Sequence, residues 1–125
     1  MPETPSRRDV ADFLARCKIA LDFQHKQWAD RKRTTQDLID LGITQRQAED
    51  YVLSLTPDNY SEGPMQDSDH PARRVWVFGV EVAGVETYVK LALAQHPRKR
   101  SVEYVLIWSF HKAEHAMRYP LRGEK

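Results

Sequence analysis

The feature that most constrains this chain is a change in the spacing of its apolar residues near position 75. Before that point they recur every three or four residues, as in Val10, Phe13, Leu14 and Cys17, which is typical of helices. After it, apolar and polar side chains alternate along three runs, which favours strands. Helices followed by strands predict an α+β fold rather than alternating α/β units.

The helical part is expected over 6–56, after a loose tail at 1–5. Ser6 is suited to cap the first helix, and Gly42 and Thr44 separate two shorter helices near its end. Two short helices joined by a turn also occur in DNA-binding helix-turn-helix proteins. The second helix carries acidic residues that would repel phosphate, which disfavours DNA binding.

A stretch without periodicity over 57–74 predicts a long loop, and long loops are often functional. The following residues, 75–110, predict a three-stranded antiparallel β-meander with two tight turns. An irregular C-terminal tail is expected over 111–125. Together these parts are expected to form a single domain, 1–125, because the chain has room for one core.

The helices are expected to cover one face of this sheet and bury its apolar side chains. Successive strand residues point to opposite faces. The uncovered face is therefore expected to carry Trp76, Tyr88 and Lys90, and it is where a ligand would bind.

Charge is distributed unevenly, although the net charge is only +1. Residues 1–72 hold 9 Lys/Arg against 13 Asp/Glu, and residues 73–125 hold 10 against 5. A basic half predicts a polyanion or an acidic partner, although ordinary surface complementarity explains it equally well. The candidate RNA-binding residues are Arg98, Lys99, Arg100, Arg118 and Trp76.

Cysteine content and hydropathy bear on the compartment. Cys17 is the single cysteine, so an internal disulfide is excluded and a reducing cytoplasm is expected. No apolar run approaches the roughly 20 residues of a membrane span. The N-terminus lacks the pattern of a secretory signal, so we expect a cytoplasmic protein without membrane contact.

The clearest chemical pattern lies just after the most apolar strand, where His111, Glu114 and His115 occur within five residues. They match the H-x-x-E-H motif, in which a helix presents two imidazoles to zinc and the glutamate acts as a base. The motif follows a strand, however, and only ten residues come after His115 to supply a third ligand. The pattern therefore leaves a metal site as a weak alternative.

The same residues also suit proton transfer without metal or cofactor. Imidazole titrates near neutral pH, so one histidine can remove the proton of an RNA 2′-hydroxyl and another can protonate the leaving oxygen. Tyr88, Lys90 and Arg118 could stabilise the charge that develops on phosphate. A purely structural role, in which His111 and His115 cap the strand end, remains an equal alternative on spacing alone.

Several segments of the chain, in order and with similar gaps, resemble the MqsR family of bacterial toxins over about residues 35–120. They are Leu53–Tyr60, Gly63-Pro64, Asp67, Asp69, Val75–Gly79, Glu86–Leu91, Ser109–His111 and Glu114-His115. The resemblance implies a RelE-like fold and ribosome-independent endoribonuclease activity on messenger RNA. It also implies neutralisation by a co-expressed antitoxin.

The resemblance also implies site residues. Tyr88 and Lys90 fall on the family's Y-x-K strand, where the tyrosine is implicated in activity. His111 stands where better-known members have a lysine, Ser61-Glu62 replaces a second family lysine, and Val77 replaces a glutamine. The predicted catalytic set is His111, Tyr88, Lys90 and His115.

The leading hypothesis is therefore the toxin of a type II toxin–antitoxin system, an endoribonuclease (mRNA interferase) that needs no metal. Its expected partners are a cognate antitoxin and the RNA substrate, and no cofactor is required. Two alternatives remain. One is a non-catalytic protein that binds RNA or a partner, and the other is an H-x-x-E-H metallohydrolase.

Overall fold

The computed structural model describes residues 4–29, 32–68, 70–99 and 101–123. Within them lie three α-helices and a five-stranded sheet. The helices are α1 (Arg7–Asp22), α2 (Lys32–Leu41) and α3 (Gln45–Ser54). The strands are β1 (Lys26–Trp28), β2 (Tyr60–Asp67), β3 (His70–Val82), β4 (Val85–Gln95) and β5 (Glu103–Lys112).

The strand order is β1-β5-β4-β3-β2. Strands β2 to β5 pair antiparallel, and β1 pairs parallel with β5. The α+β class is thus confirmed. The predicted three-stranded antiparallel sheet of RelE-like form is wrong, because the sheet is mixed and has an additional strand at each edge.

Both additional strands lack the sequence pattern of a strand. Strand β1 has only three residues and is held by its backbone pairing with Val105, Leu106 and Ile107. Strand β2 and the first residues of β3 occupy most of the predicted loop over 57–74, and the register of β2 on β3 shifts at several points. It contains Pro64, which lacks an N–H donor and is tolerated at a sheet edge.

The first helix follows its sequence signals. The Ser6 hydroxyl accepts a hydrogen bond from the Asp9 N–H at 3.0 Å, and the Asp9 carboxylate accepts one from the Ser6 N–H at 3.1 Å. This capping box satisfies donors that the first turn leaves without partners. The helix buries its apolar side, including the thiol of Cys17, which is 0 % exposed.

Of the two shorter helices, α3 is joined to the edge strand β1 by a buried carboxylate. Thr44 caps α3 as expected, and α2 runs from Lys32 to Leu41. Glu49 on α3 accepts hydrogen bonds from the Lys26 ammonium at 2.6 Å and the Trp28 indole at 2.8 Å. These contacts fix α3 beside β1.

The helices pack against one face of the sheet, the helix-covered face. There Phe13 of α1 stacks on Trp76 with ring centroids 4.4 Å apart, and on Phe78 at 6.1 Å. The prediction that Trp76 shares the uncovered face with Tyr88 is therefore wrong. Both faces of β3 are apolar, since Val75 and Val77 are also buried, so alternation did not distinguish them.

None of the three described helices packs on the opposite face of the sheet, the open face. A small apolar cluster of Val75, Ala92 and Leu106 lies there, bordered by Tyr104 and Trp108. Beyond it the face becomes polar towards Tyr88 and His111, which are cross-strand partners. None of the helices in the described ranges is long and apolar enough to cross a bilayer.

Candidate functional site

A cleft of about 540 Å³ opens at the end of the open face where β5 finishes. Strands β2, β4 and β5, the start of α2, and the segment after β5 form its walls. The side chains that line it include Arg33, Ser61, Glu62, Tyr88, Ser109, His111, Glu114, His115 and Arg118. The cleft thus gathers histidines, carboxylates, a phenol and two guanidinium groups.

Tyr88 and His111 form the centre of the cleft. They lie opposite each other on β4 and β5, and their rings stack with centroids 4.9 Å apart at an angle of 12°. His111 Nδ1 is 2.8 Å from the Lys112 carbonyl oxygen. A carbonyl can only accept, so Nδ1 carries the hydrogen. In neutral imidazole this arrangement makes Nε2 the basic nitrogen, available to remove a proton from a ligand.

The phenol of Tyr88 is held in its neutral form. Burial raises its pKa above the usual value of 10, and the negative charges of Glu62 and Glu114 raise it further. Tyr88 therefore keeps its proton throughout the neutral range and can donate a hydrogen bond to an anionic ligand.

Residues 113–121, which we call the C-terminal strap, bring further groups to the cleft. A single acidic residue, Glu86 on β4, fastens this strap. Its backbone carbonyl accepts from the Ala113 N–H at 2.9 Å, and its carboxylate accepts from the Met117 N–H at 3.2 Å and the Tyr119 hydroxyl at 2.8 Å. Glu114, His115 and Arg118 are thus positioned by a strap that has no regular secondary structure of its own.

The end of the strap is anchored by close packing. A Cβ at Gly79 would lie 2.7 Å from Tyr119 Cε1, so the absence of a side chain there lets the ring rest on β3. Leu121 is buried in the main core, and its carbonyl accepts a hydrogen bond from Arg7 at 2.9 Å. The strap is therefore fixed at both ends.

Positive charge enters the cleft from two directions. Arg33 of α2 pairs with Glu114 at 3.1 Å, with both side chains 64 % exposed. Arg118 comes from the strap. Because the Arg33 ion pair faces solvent, an anionic ligand can compete with Glu114 for the guanidinium group.

The predicted site residues separate into three groups. Tyr88, His111, His115 and Arg118 line the cleft, and Lys90 lies on the same face, opposite Ser109. Trp76 lies on the helix-covered face. Arg98 and Lys99 follow the far end of β4, about 20 Å from Tyr88 by strand rise. Arg100 lies outside the described residues.

Two residues that shape the site are absent from the predicted set. Arg33 is one of them, because only the packing of α2 brings it to the cleft. Glu86 was noticed only as part of the segment before Tyr88, and its contacts with the strap depend on the turn of the chain after Lys112. Neither position has a local sequence signal.

The H-x-x-E-H segment does not have the geometry of its motif. His111 belongs to β5, whereas Glu114 and His115 follow in the non-helical strap, so no helix presents the two imidazoles together. Among the residues that the structure describes, no group of three or more His, Cys, Asp or Glu side chains is arranged to hold a metal ion.

Comparison of the sequence with known proteins does not assign a function to this cleft. No model of a known protein family matches the chain, and no curated protein matches it.

Proposed function

We propose that this chain is a metal-independent endoribonuclease that cleaves messenger RNA by attack of a 2′-hydroxyl on the adjacent phosphate. The observation that carries the proposal is His111, whose Nδ1 is engaged by the Lys112 carbonyl while its ring stacks on Tyr88 in a cleft bordered by guanidinium groups. This arrangement supplies a base of defined tautomer beside groups that bind phosphate.

In the proposed reaction, His111 Nε2 takes the proton of the 2′-hydroxyl as its oxygen bonds to phosphorus. The bond between phosphorus and the 5′-oxygen breaks, and His115 in its protonated form gives a proton to that oxygen. The products are a 2′,3′-cyclic phosphate and a free 5′-hydroxyl. Every proton transferred comes from the RNA or from an imidazole, so the step needs no metal.

The charge that develops on the phosphoryl oxygens needs donors that stay protonated. Tyr88 fits this role because its raised pKa keeps the phenol neutral, and Arg33 and Arg118 bring permanent positive charge. Lys90, one strand position further along the face, would contact the neighbouring phosphate.

We further propose that the chain is the toxin of a type II toxin–antitoxin pair and acts in the cytoplasm. The resemblance to MqsR-family toxins supports this biological role. Expression of the chain without its antitoxin should arrest bacterial growth, because cleaved messenger RNA cannot be translated. Normal growth with verified folded protein would contradict the toxin assignment.

The chemistry is tested by incubating purified protein with RNA in EDTA. Wild-type protein should cleave at an undiminished rate, and His111→Ala should reduce the rate by about 10²–10⁴-fold. His70→Ala is the matched control, because His70 is an exposed histidine at the start of β3, away from the cleft. If EDTA abolished cleavage and zinc restored it, proton transfer without metal would be the wrong mechanism.

A non-catalytic RNA-binding protein is the second candidate, and the position of Arg98 and Lys99 far from His111 favours it. A protein of that class would retard RNA in a gel and leave it intact. The same incubation therefore separates the two candidates.

A further inference from the structure

Beyond the cleft, a row of rings that the proposed reaction does not use runs from Tyr104, which borders the apolar cluster of the open face, to the end of α1. Phe23 stacks with His25 at 6.1 Å, His25 with Tyr104 at 5.2 Å, and Tyr104 lies 5.5 Å from His96. These four residues, the ring ladder, come from the connection between α1 and β1 (Phe23 and His25), from β5 (Tyr104) and from the turn after β4 (His96). Three separate segments thus contribute one aromatic surface.

The ladder ends in positive charge. His96 Nδ1 accepts hydrogen bonds from the Arg98 N–H at 3.0 Å and the Lys99 N–H at 3.1 Å, so the histidine shapes the turn that carries these two residues. Both side chains are exposed, and neither forms an ion pair with another described residue. Glu103, the nearest acid along β5, is paired with Arg16.

The ladder and the cleft lie on the same face of β5. Tyr104 and His111 are separated by about 20 Å of strand. Between them a bulge falls at Trp108, since Ile107 pairs with Leu91 and Ser109 with Lys90. The Arg73 guanidinium lies 5.4 Å from the centre of the Trp108 ring. One further ring with an adjacent cation therefore lies on this face between the ladder and the cleft.

We propose that this face is an extended binding track for single-stranded RNA, in which the ring ladder stacks bases and Arg98 and Lys99 contact phosphates. Proteins that bind single strands combine exposed rings with a basic groove, since every base has a face that can stack. The length of the track suits four or more nucleotides. The inference rests on the proposed function in one respect, namely that the bound strand leads into the cleft.

The first test measures binding of a 2′-O-methyl RNA strand of about 16 nucleotides, which has no free 2′-hydroxyl and cannot be cleaved. Phe23 is 70 % exposed, so Phe23→Ala should leave the fold intact and weaken binding about 5-fold or more. Ile39→Ala is the matched control, because Ile39 is a 63 % exposed apolar residue on α2 that lies outside the ladder. Its affinity should equal that of the wild type.

The second test concerns charge. Replacing both Arg98 and Lys99 by Gln should reduce the slope of log affinity against log salt by about 1.4, since each phosphate contact of a single strand contributes about 0.7. Arg8→Gln combined with Arg46→Gln removes two exposed cations from the helices and should leave the slope unchanged.

These measurements separate the track from the catalytic proposal. If RNA binding depends on Phe23 but the protein does not cleave RNA, the track proposal is supported and the proposed nuclease activity is wrong. If the wild-type protein cleaves RNA but neither Phe23→Ala nor the double replacement of Arg98 and Lys99 changes RNA binding, the track proposal is wrong. A protein partner would then be the expected ligand of this face. Absence of any binding to the single strand would also overturn the track.

Discussion

The two faces of the sheet are built from the same strands but have different chemistry. On the helix-covered face, Phe78 and Phe110 are buried among apolar side chains from all three helices. On the open face, the same strands present Tyr88, Lys90 and His111 to a cleft or to solvent. Neighbouring residues of one strand can therefore serve stability and chemistry separately, because successive side chains point to opposite faces.

Phe110 and His111 are adjacent on β5 and give the sharpest test of this separation. Phe110 is 1 % exposed, so Phe110→Ala should lower the free energy of unfolding by about 3–5 kcal/mol. His111→Ala should change that quantity little, although it removes most cleavage. Urea denaturation of both variants, followed by RNA cleavage assays under folding conditions, measures the two effects.

Phe110→Leu serves as a milder version, should Phe110→Ala fail to fold. A loss of stability in His111→Ala comparable to that in Phe110→Ala would mean that His111 is a structural residue. The two faces would then not be independent.

The same contrast explains what the sequence could predict. The long central strands were predicted because Thr87, Val89 and Leu91 alternate and are buried. The edge strands were missed, since β1 has only three residues and β2 contains Gly63, whose φ of +108° and 2.6 Å approach to the Val75 carbonyl exclude a side chain. Alternation of apolar and polar residues in a sequence reflects the burial of one face of a strand. The two edge strands bury too few apolar side chains to produce such an alternation.

The candidate site was predictable to the same limited extent. Tyr88 and His111 were singled out by residue type and resemblance, but their stacking depends on the register of β4 and β5. Arg33 reaches the cleft from a helix that is distant in sequence. Interactions of this kind arise from packing, which local patterns do not encode.

The strap extends the comparison, because it places groups for chemistry without contributing much core. Glu86→Ala should reduce cleavage by up to about 100-fold, since releasing Met117 and Tyr119 displaces His115 from its working position. Glu86→Gln should recover part of the rate, because its amide oxygen can still accept from Met117. The loss should appear in kcat rather than in KM.

Glu81→Ala is the matched control for Glu86→Ala. Glu81 lies directly opposite Glu86 on β3 and is exposed, so the variant removes the same charge from the same region. Gly79→Ala should reproduce the loss, because the new Cβ would push Tyr119 away. Equal activities of Glu81→Ala and Glu86→Ala would show that the strap does not position the site.

A smaller effect is expected for Arg33. Its ion pair with Glu114 is exposed, so Arg33→Gln should scarcely change the melting temperature. If Arg33 contacts a phosphate, the variant should lower the salt slope of RNA binding by about 0.7. Arg8→Gln, an exposed cation on α1, provides the comparison. An unchanged slope in Arg33→Gln would remove Arg33 from the binding residues.

The smallest expected effect is a pH dependence of stability that originates in the strap. Burial, with the hydrogen bond to Glu86 and the negative charge of that carboxylate, raises the pKa of Tyr119 to about 12. The phenol of an unfolded chain titrates near 10, so between about pH 10 and 12 the folded state binds more protons than the unfolded state. Under this linkage the contribution of Tyr119 to stability is complete below pH 10 and declines as the pH rises towards 12.

Urea denaturation at pH 9 and at about pH 11 should show this decline, and Tyr119→Phe should make it shallower, because a phenyl ring does not titrate. Tyr51→Phe, at a partly buried tyrosine on α3, controls for the loss of a hydroxyl. Identical slopes in the wild type and Tyr119→Phe would show that the contact between Tyr119 and Glu86 does not persist in solution. The strap would then be held by Leu121 and by the backbone N–H groups of Ala113 and Met117, which bond to Glu86.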